Sequence, residues 1–478
     1  MNLSFLLSDL VDGQICEGDA SNICFEPKKC NKYDILFLMN EKAVNDYESA
    51  LPQAAAVVTC LPITYTSNTP IYTTKNIRDA LSKVCAKMYC KDLSKIKFIG
   101  ITGTNGKSTT AILLEGILSN CGYKVGYIGT GKIRFGKEIL SEKYYSMTTP
   151  PPDMLYKSIG RMEDLGVEII IMEVSSHALD QSRVSPISFE IGIFTNLSEE
   201  HLDYHKNIDE YFNAKKKLLE KSKIKIVNSD DNYGRSFLDG YENVDGCGTA
   251  FFKNVQINIL DRSGFYGNKF RYKSDINETD IELKLPGTYN IYNATLAIRA
   301  AEKLDIPLPK IKQSIEGIRE IDGRFNVFDD RIQIIIDYAH TISAFDNLLK
   351  NLYSNKKPGQ NLILVFGCGG DRDKSKRSPM GLIAEKYADK IIVTSDNPRS
   401  EAPLSIIEEI IRAMKSVPIV IENREEAIRA AIFSAAEGDI VAIVGKGPED
   451  YMISQGERHY FCEKEIIKSA LKERQNCE

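Results

Sequence analysis

The sequence predicts an α/β protein of about three domains built around parallel sheets. Short apolar runs alternate with helical patterns along most of the chain, the alternation that produces parallel strands joined by helices. Many of those runs end in a polar, glycine-rich cluster. The length of 478 residues is enough for several filled cores rather than one.

In chain order, the first ninety or so residues read as a small α/β unit with strands near Ile35–Met39 and Ala55–Cys60. The middle third carries the runs at 97–109, 168–179, 189–205 and 224–234, and the last third those at 332–341, 362–374, 390–400 and 439–450. A linker is expected near Gly323–Asn326, where a helical segment gives way to a strand. The expected division is 1–92, 93–325 and 326–478. Ligands of open α/β sheets bind beyond the carboxyl ends of the strands. The polar clusters therefore predict two active-site rims, one on each of the larger domains.

Composition removes several function classes. A net charge of −5 sets up no basic field, so nucleic acid is not expected as a partner. No apolar run is long enough to span a bilayer. Met1–Val11 lacks the basic start and small-residue cleavage site of a signal peptide. The 11 cysteines are scattered, odd in number and without a C-x-x-C pair, which reads as free thiols in the cytosol.

Chemistry concentrates in the strand-end clusters. Ile96–Ile101 reads as a strand, Thr102-Gly103-Thr104-Asn105-Gly106-Lys107-Ser108 as a phosphate loop, and Thr109 onward as a helix. Glycines let backbone N–H groups close around phosphate oxygens at a helix N-terminus, with Lys107 against the phosphates and Ser108 on Mg²⁺. The full loop pattern has glycine at 101, where this chain has Ile101. Glu173 ends an apolar strand before Val174-Ser175-Ser176-His177, and a carboxylate there suits Mg²⁺. Glu199, Glu200, His201, Asp203 and His205 follow the next strand, and four of the five histidines (His177, His201, His205, His340) fall in such clusters. By composition, Lys215 to Lys217 read as a solvated basic face on a helix capped near Asp209. Arg372, Arg377 and Arg399 flank turns, each equally readable as a carboxylate fork or a surface ion pair, with Glu449 near them by the same strand-end logic.

With these residues in view, the chain resembles the Mur ligases, and within them the UDP-N-acetylmuramyl-tripeptide synthetases. The resemblance covers roughly 93–478 and rests on ordered motifs. They are the loop 103–108, Thr148-Thr149-Pro150, Glu173 to His177, Thr195-Asn196-Leu197 with His201 to His205, and Ala214-Lys215. Gly287 with Tyr289-Asn290 and Asn293, Gly323-Arg324-Phe325, Asp337 to His340, Gly369 to Lys374, Asp396-Asn397-Pro398-Arg399 and Gly445-Lys446-Gly447 follow. It implies a uridine-nucleotide domain, a central P-loop ATPase domain and a C-terminal Rossmann-like domain. It also implies ATP at Thr102–Ser108 with Asn290, Arg324 and Asp337. Thr148, Thr149, Ser175 and Arg183 would contact a UDP-muramyl dipeptide. Arg372, Asp396, Asn397, Pro398, Arg399, Gly445 and Glu449 would hold the incoming amino acid. Lys215 would be N-carboxylated, and with Ser108, Glu173 and His201 would stand at the Mg²⁺ ions. Lys107, Lys215, Glu173 and His201 are thus the expected catalytic set.

The Asp-Asn-Pro-Arg form resembles that of enzymes adding meso-diaminopimelate rather than L-lysine. Four departures from the family pattern are visible. Phe25–Cys30 reads FEPKKC where the family has an Asp-Ser-Arg element, Glu200 replaces Asp, Ser378 separates Arg377 from Pro379, and Pro448 replaces His before Glu449. The expected activity is a cytosolic, ADP-forming ligation through an acyl phosphate in peptidoglycan precursor synthesis. The alternatives are L-lysine or another acceptor, as in folate or peptide polyglutamylation, and a nucleotide-binding regulatory protein without turnover.

Overall fold

A computed structural model describes residues 1–50, 52–63, 69–141, 147–262, 264–329 and 331–477. Its described strands form sheets of four, eleven, six and two strands.

The four-stranded sheet is parallel and uses Asn22–Cys24, Asp34–Leu38, Ala56–Thr59 and Ile71–Thr73. The two strands expected in this region are the middle pair. Helix Ile77–Tyr89 follows, started by Asn76, whose side chain accepts from the Asp79 N–H. Ile77, Ala80, Leu81, Val84, Cys85 and Met88 are buried at helical spacing and face helix Pro152–Asp164. The helices approach closely because Gly160 has no side chain; a Cβ there would lie 2.0 Å from the Tyr89 carbonyl oxygen.

Seven strands of the large sheet are parallel neighbours in the order Asn254–Arg262, Val244–Gly248, Ser222–Asn228, Phe189–Phe194, Lys97–Thr102, Ile169–Glu173 and Val125–Gly129. Antiparallel strands extend both edges: Asn268–Ser274 and Glu278–Leu283 on one side, Lys132–Phe135 and Glu138–Ser141 on the other. The expectation of parallel sheets therefore holds for the centre only. Fully buried central strands read as continuous apolar runs, whereas the edge strands alternate and gave no such signal. Lys97–Thr102 lies between Ile169–Glu173 and Phe189–Phe194, where the order of strands along the sheet reverses. A crevice opens at that point, beyond the carboxyl end.

The six-stranded sheet runs Asn326–Asp329, Gln333–Asp337, Ile440–Val444, Leu362–Phe366, Lys390–Val393 and Ile419–Val420. All its pairs are parallel except the first. Helices bury both faces: Phe345, Leu348 and Leu349 pack on one side, Ala427, Ile428 and Ile432 on the other.

One buried ion pair fixes the carboxyl ends of two of these strands. Arg424, fully buried, donates Nε–H to Glu463 Oε1 at 2.7 Å, and its two terminal nitrogens to the carbonyls of Ser395 and Val444 at 3.1 and 3.0 Å. The residues that follow, Asp396 and Gly445, line the cleft described below. Arg424→Met leaves the Glu463 carboxylate buried without its cation, so it should lower stability by about 3–5 kcal/mol, read as a fall in the denaturant midpoint. Adding Glu463→Met should restore most of the loss, because the stranded charge is then gone as well.

Candidate active site

The phosphate loop leaves strand Lys97–Thr102 through Gly103, at φ 144°. A Cβ on Gly103 would sit 1.9 Å from Thr195 Oγ1. That hydroxyl and the next side chain clamp the loop. Thr195 Oγ1 donates to the Asn105 carbonyl at 2.6 Å, and Asn196 Oδ1 accepts from the Asn105 N–H at 3.0 Å. The helix begins at Lys107, two residues before the expected start, with Gly106 in the left-handed region as its cap.

Lys107 Nζ donates to the carbonyls of Gly103 and Thr104, at 3.0 and 2.9 Å. Lys215 reaches the same Gly103 oxygen at 2.8 Å from the opposite side. Its helix, Ile208–Glu220, is capped by Asn207 rather than near Asp209. Tyr211, Ala214, Lys215, Leu218 and Leu219 form the buried face, so Lys215 points inward. Lys216 and Lys217 stay near the surface beside Glu220 and Asp180. The solvated-face expectation thus fails at Lys215 alone. Burial, and then Lys107, hold the Lys215 ammonium well below the usual lysine range. Lys107 is lowered too, chiefly by burial. Among the described residues, neither ammonium has a carboxylate within ion-pair distance.

Glu173 is completely buried at the end of its strand. It accepts from Ser108 Oγ at 2.9 Å, Thr130 Oγ1 at 3.2 Å, Thr130 N–H at 3.3 Å and the Tyr127 hydroxyl. Next to it, Thr149 Oγ1 donates to the Glu173 carbonyl at 2.8 Å and accepts from the Ser175 N–H at 3.0 Å. Arg183 donates to the Thr149 carbonyl at 2.7 Å, while Thr148 stands 3.5 Å from Thr130 Oγ1. The histidines pack with the tyrosines: His177 lies 5.0 Å from His201 and 4.1 Å from Tyr204, ring to ring. Burial, with neighbouring cationic side chains, pulls His177 down to about 4 and His201 to about 2.

The facing rim belongs to the six-stranded sheet. Arg324 donates to Ser108 Oγ at 3.2 Å and lies over the Tyr338 ring. Asn397 donates to Glu449 Oε2 at 2.8 Å and accepts from Lys446 Nζ and the Ile453 N–H. Tyr338 donates to the other Glu449 oxygen at 3.3 Å. Burial raises the Glu449 carboxyl pKa. Arg372 and Arg399 flank Gly369, and Arg399 Nη1 donates to the Gly370 carbonyl at 2.7 Å. Neither guanidinium has an ion-pair partner among the described residues. Arg377 differs: it is buried and held by Glu401 and Glu409 at 2.9 Å each. Its fork is occupied by the fold, and it is not a ligand arm.

The two expected rims face each other across a single cleft of roughly 430 Å³, within the range of small-molecule sites. Asn105 Nδ2 donates to Ser343 Oγ at 3.1 Å and Thr341 Oγ1 donates to Asn105 Oδ1 at 3.2 Å, joining loop to facing rim. Of the expected site residues, Thr104 to Ser108, Thr148, Glu173, Ser175, Arg183, His201, Arg324, Arg372, Asp396, Asn397, Arg399, Gly445 and Glu449 line it. Thr102, Gly103, Thr149, Lys215, Asn290, Asp337 and Pro398 lie behind the lining side chains. Asp337 there accepts from the N–H groups of Phe325 and Ala339, at 2.8 Å each, bracing the turn that carries Arg324. Asn290 bonds the Pro286 carbonyl and Asn293.

Thr130 and Lys376 also line the cleft and escaped the sequence reading, and Tyr338, quoted there within the motif 337–340 but given no role, lines it too. Thr130 sits in Gly129-Thr130-Gly131 just past a strand, the same signal that exposed the others. Glu200, a departure from the family, is buried with a raised pKa and lies 3.8 Å from Lys376 Nζ. Pro448, another, packs where Gly323 turns; a Cβ on Gly323 would stand 2.0 Å from the Pro448 nitrogen.

Comparison with known proteins agrees with this architecture. Residues 101–301 match the Mur ligase middle domain, and residues 323–447 match the Mur ligase glutamate ligase domain. The chain is 40% identical over 424 residues to the UDP-N-acetylmuramoyl-L-alanyl-D-glutamate–2,6-diaminopimelate ligase of Aquifex aeolicus (strain VF5), covering 87% of this chain and 86% of that one. It is 37% identical to the enzyme of the same name from Clostridium perfringens (strain 13 / Type A), over 95% of this chain and 96% of the relative. A solved structure of a ligase of that name superposes with a TM-score of 0.69 at 27% identity, covering 99% of both chains. The chain belongs to the Mur ligase family.

Proposed function

We propose that this protein is the ATP-dependent ligase that joins meso-diaminopimelate to UDP-N-acetylmuramoyl-L-alanyl-D-glutamate, releasing ADP and phosphate. The observation that carries the reading is the charge of the cleft. Among the described residues, two lysine ammoniums at the phosphate loop and two guanidiniums on the facing rim have no ion-pair carboxylate, while Glu449 and Asp396 line the same cleft as the guanidiniums. The first pair suits a polyphosphate and the second a zwitterion with an additional carboxylate. The names of the relatives supply the acceptor.

The residues fit ATP and Mg²⁺. Gly103 and Gly106 leave the loop's backbone open at a helix N-terminus. Ser108 and Glu173 present hydrogen-bonded oxygen donors side by side, the hard ligands Mg²⁺ takes. Ser108, Glu173 and His201 would hold the metal, which supplies neutralisation of phosphate charge when bound. His201, kept neutral by burial, can offer a ring-nitrogen lone pair. Lys107 turns from its own carbonyls to the transferring phosphoryl group. The acceptor carboxylate, placed by Thr148, Ser175 and Arg183, takes that group to become an acyl phosphate. The amine then attacks the acyl carbon and expels phosphate. The hydrogen bonds from Asn105 to Ser343 and Thr341 draw the rims together over the centre and limit the water that would hydrolyse the intermediate.

Lys215 acts as a carbamate in this scheme. Burial lowers the Lys215 pKa, which eases loss of its proton, and the neutral amine can then add to CO₂, losing a second proton to leave an N-carboxylate beside Lys107. A cytosolic location belongs to this reading and is supported by the consumption of ATP and by the free thiols among the described residues, where no helix is long and apolar enough to cross a membrane.

Phosphate release that requires both UDP-muramyl dipeptide and diaminopimelate tests the function itself; release with neither, or with other acceptors only, excludes it. Lys215→Ala should nearly abolish that release while far-UV circular dichroism stays unchanged, with partial recovery in high bicarbonate or a short-chain carboxylate. Full activity in the variant would remove Lys215 from the chemistry. Arg399→Ala should cut kcat/KM for meso-diaminopimelate by about a hundredfold or more, since it deletes the cation that meets the second carboxylate. Equal use of lysine and diaminopimelate by the wild type would show that Arg399 does not set the choice.

The histidines predict a pH dependence. In the unfolded chain His177 and His201 titrate near 6.5, whereas in the folded protein they do so at about 4 and about 2. Below pH 6.5 the unfolded state takes up protons that the folded state refuses, so stability falls as pH drops towards 4. The loss is on the order of 1 kcal/mol per pH unit for His201 and less for the more accessible His177. His201→Asn, tolerable at φ 58°, should lose less stability than wild type between pH 7.5 and 5.5 in urea titrations.

A further inference from the structure

A second cluster of ligating side chains lies in the four-stranded sheet, away from the cleft. Cys24 closes strand Asn22–Cys24, Asp34 opens strand Asp34–Leu38, and Cys30 ends the 3₁₀ turn Pro27–Lys29 between them. Strand pairing sets Asn22 opposite Asp34 and so brings the two ends of the loop together. One sulfur from each cysteine and one carboxylate oxygen of Asp34 all lie within 4.8 Å of one another. A tetrahedral zinc with bonds of about 2.3 Å to sulfur holds its sulfurs about 3.8 Å apart, so the three groups can close on one ion with small side-chain rotations.

The carboxylate supplies an independent sign of a ligand. Asp34 is only 3% exposed. Its Oδ2 accepts from the Asn31 N–H at 3.0 Å, but Oδ1, equally buried, has no hydrogen-bond partner among the described residues. A buried carboxylate oxygen without a donor is destabilising unless something meets it. The two thiols lie against each other: Cys24 donates to the Glu26 carbonyl at 3.3 Å and Cys30 to the Asn31 carbonyl at 3.8 Å, and the two side chains interact directly. Deprotonated, the two sulfurs and the Asp34 carboxylate would offer three ligand atoms within 4.8 Å of one another.

We propose that Cys24, Cys30 and Asp34 bind one Zn²⁺ that staples the loop between the first two strands. Two thiolates favour zinc over the oxygen-seeking Mg²⁺ of the cleft. Both cysteines are half-buried, so solvent can reach the fourth position as water. The segment includes one of the four places where the sequence departs from the expected pattern, and the ion gives that loop an organiser of its own.

Full-length protein purified under reductant and without chelator should carry close to one zinc per chain by elemental analysis. Replacement by Co²⁺ should give the near-ultraviolet thiolate-to-cobalt absorption. Cys24→Ser with Cys30→Ser should lose both signals, and Asp34→Asn should weaken zinc retention against a competing chelator at least tenfold, each with ligase turnover as the check on folding. Wild-type protein that holds no zinc and gives no cobalt–thiolate band overturns the proposal, whatever the variants do. So does zinc that survives loss of both cysteines, or a Cys24–Cys30 disulfide found in the protein purified under reductant.

Discussion

A single carbonyl oxygen organises the catalytic half of this molecule. The Gly103 oxygen receives Lys107 at 3.0 Å and Lys215 at 2.8 Å, two ammoniums converging on one neutral acceptor. Such an arrangement is electrostatically unfavourable: burial lowers both pKa values, and Lys107 adds to the lowering at Lys215. It persists because the surroundings are rigid. Gly103 cannot carry a side chain against Thr195, Thr195 and Asn196 bind the loop from the next strand, and the helix bearing Lys215 is packed through Tyr211, Leu218 and Leu219. The fold thus stores a site that gains most when an anion arrives. In the proposed scheme, polyphosphate beside Lys107 and a carboxylate on Lys215 would relieve the same repulsion from two sides.

The facing rim uses the complementary device. Its carboxylates are already engaged: Glu449 is hydrogen-bonded by Asn397, Tyr338 and Lys446, so it is fixed in place but retains its charge for an incoming ammonium. Arg424 anchors this rim from below through the carbonyls of Ser395 and Val444, far enough back to remain outside the chemistry. Precision in the rim therefore comes from a buried cation that never meets substrate. The division between anchoring and binding arginines explains why Arg377, similar in sequence setting to Arg372, has a different fate: Glu401 and Glu409 occupy it.

Much of this was legible from residue order. Strand ends carrying Glu173, Asp337 and the phosphate loop fall at or within one residue of where the apolar runs stop, because a buried parallel strand must be apolar until it leaves the sheet. What composition hid was partnership at a distance. Lys215 and Lys217 differ by two positions, and helical geometry turns one inward and leaves the other beside Asp180, yet a run of lysines reads as one solvated face. That the two rims form one cleft depends on side chains such as Asn105 and Ser343, 238 residues apart, which no local pattern joins. The antiparallel edge strands were missed for a simpler reason: half-exposed strands alternate and leave no apolar run to notice.

The same reasoning bears on how the cleft can choose its amino acid. Discrimination between two diamino acids that share a reacting end cannot arise from the reacting end; it must come from the far group. Arg399 is held at φ 54° with its carbonyl and N–H both paired to the loop at 453–455, and its guanidinium anchored on the Gly370 carbonyl. A cation restrained in this way cannot swing aside to solvent when lysine brings an ammonium instead of a carboxylate. The rejected ligand then meets repulsion as well as a lost hydrogen-bonded pair, and an unfavourable contact of this kind separates partners more sharply than attraction alone. On the proposed role of Arg399, rigidity of the turn, more than the presence of an arginine, would be the physical basis of selectivity in this rim.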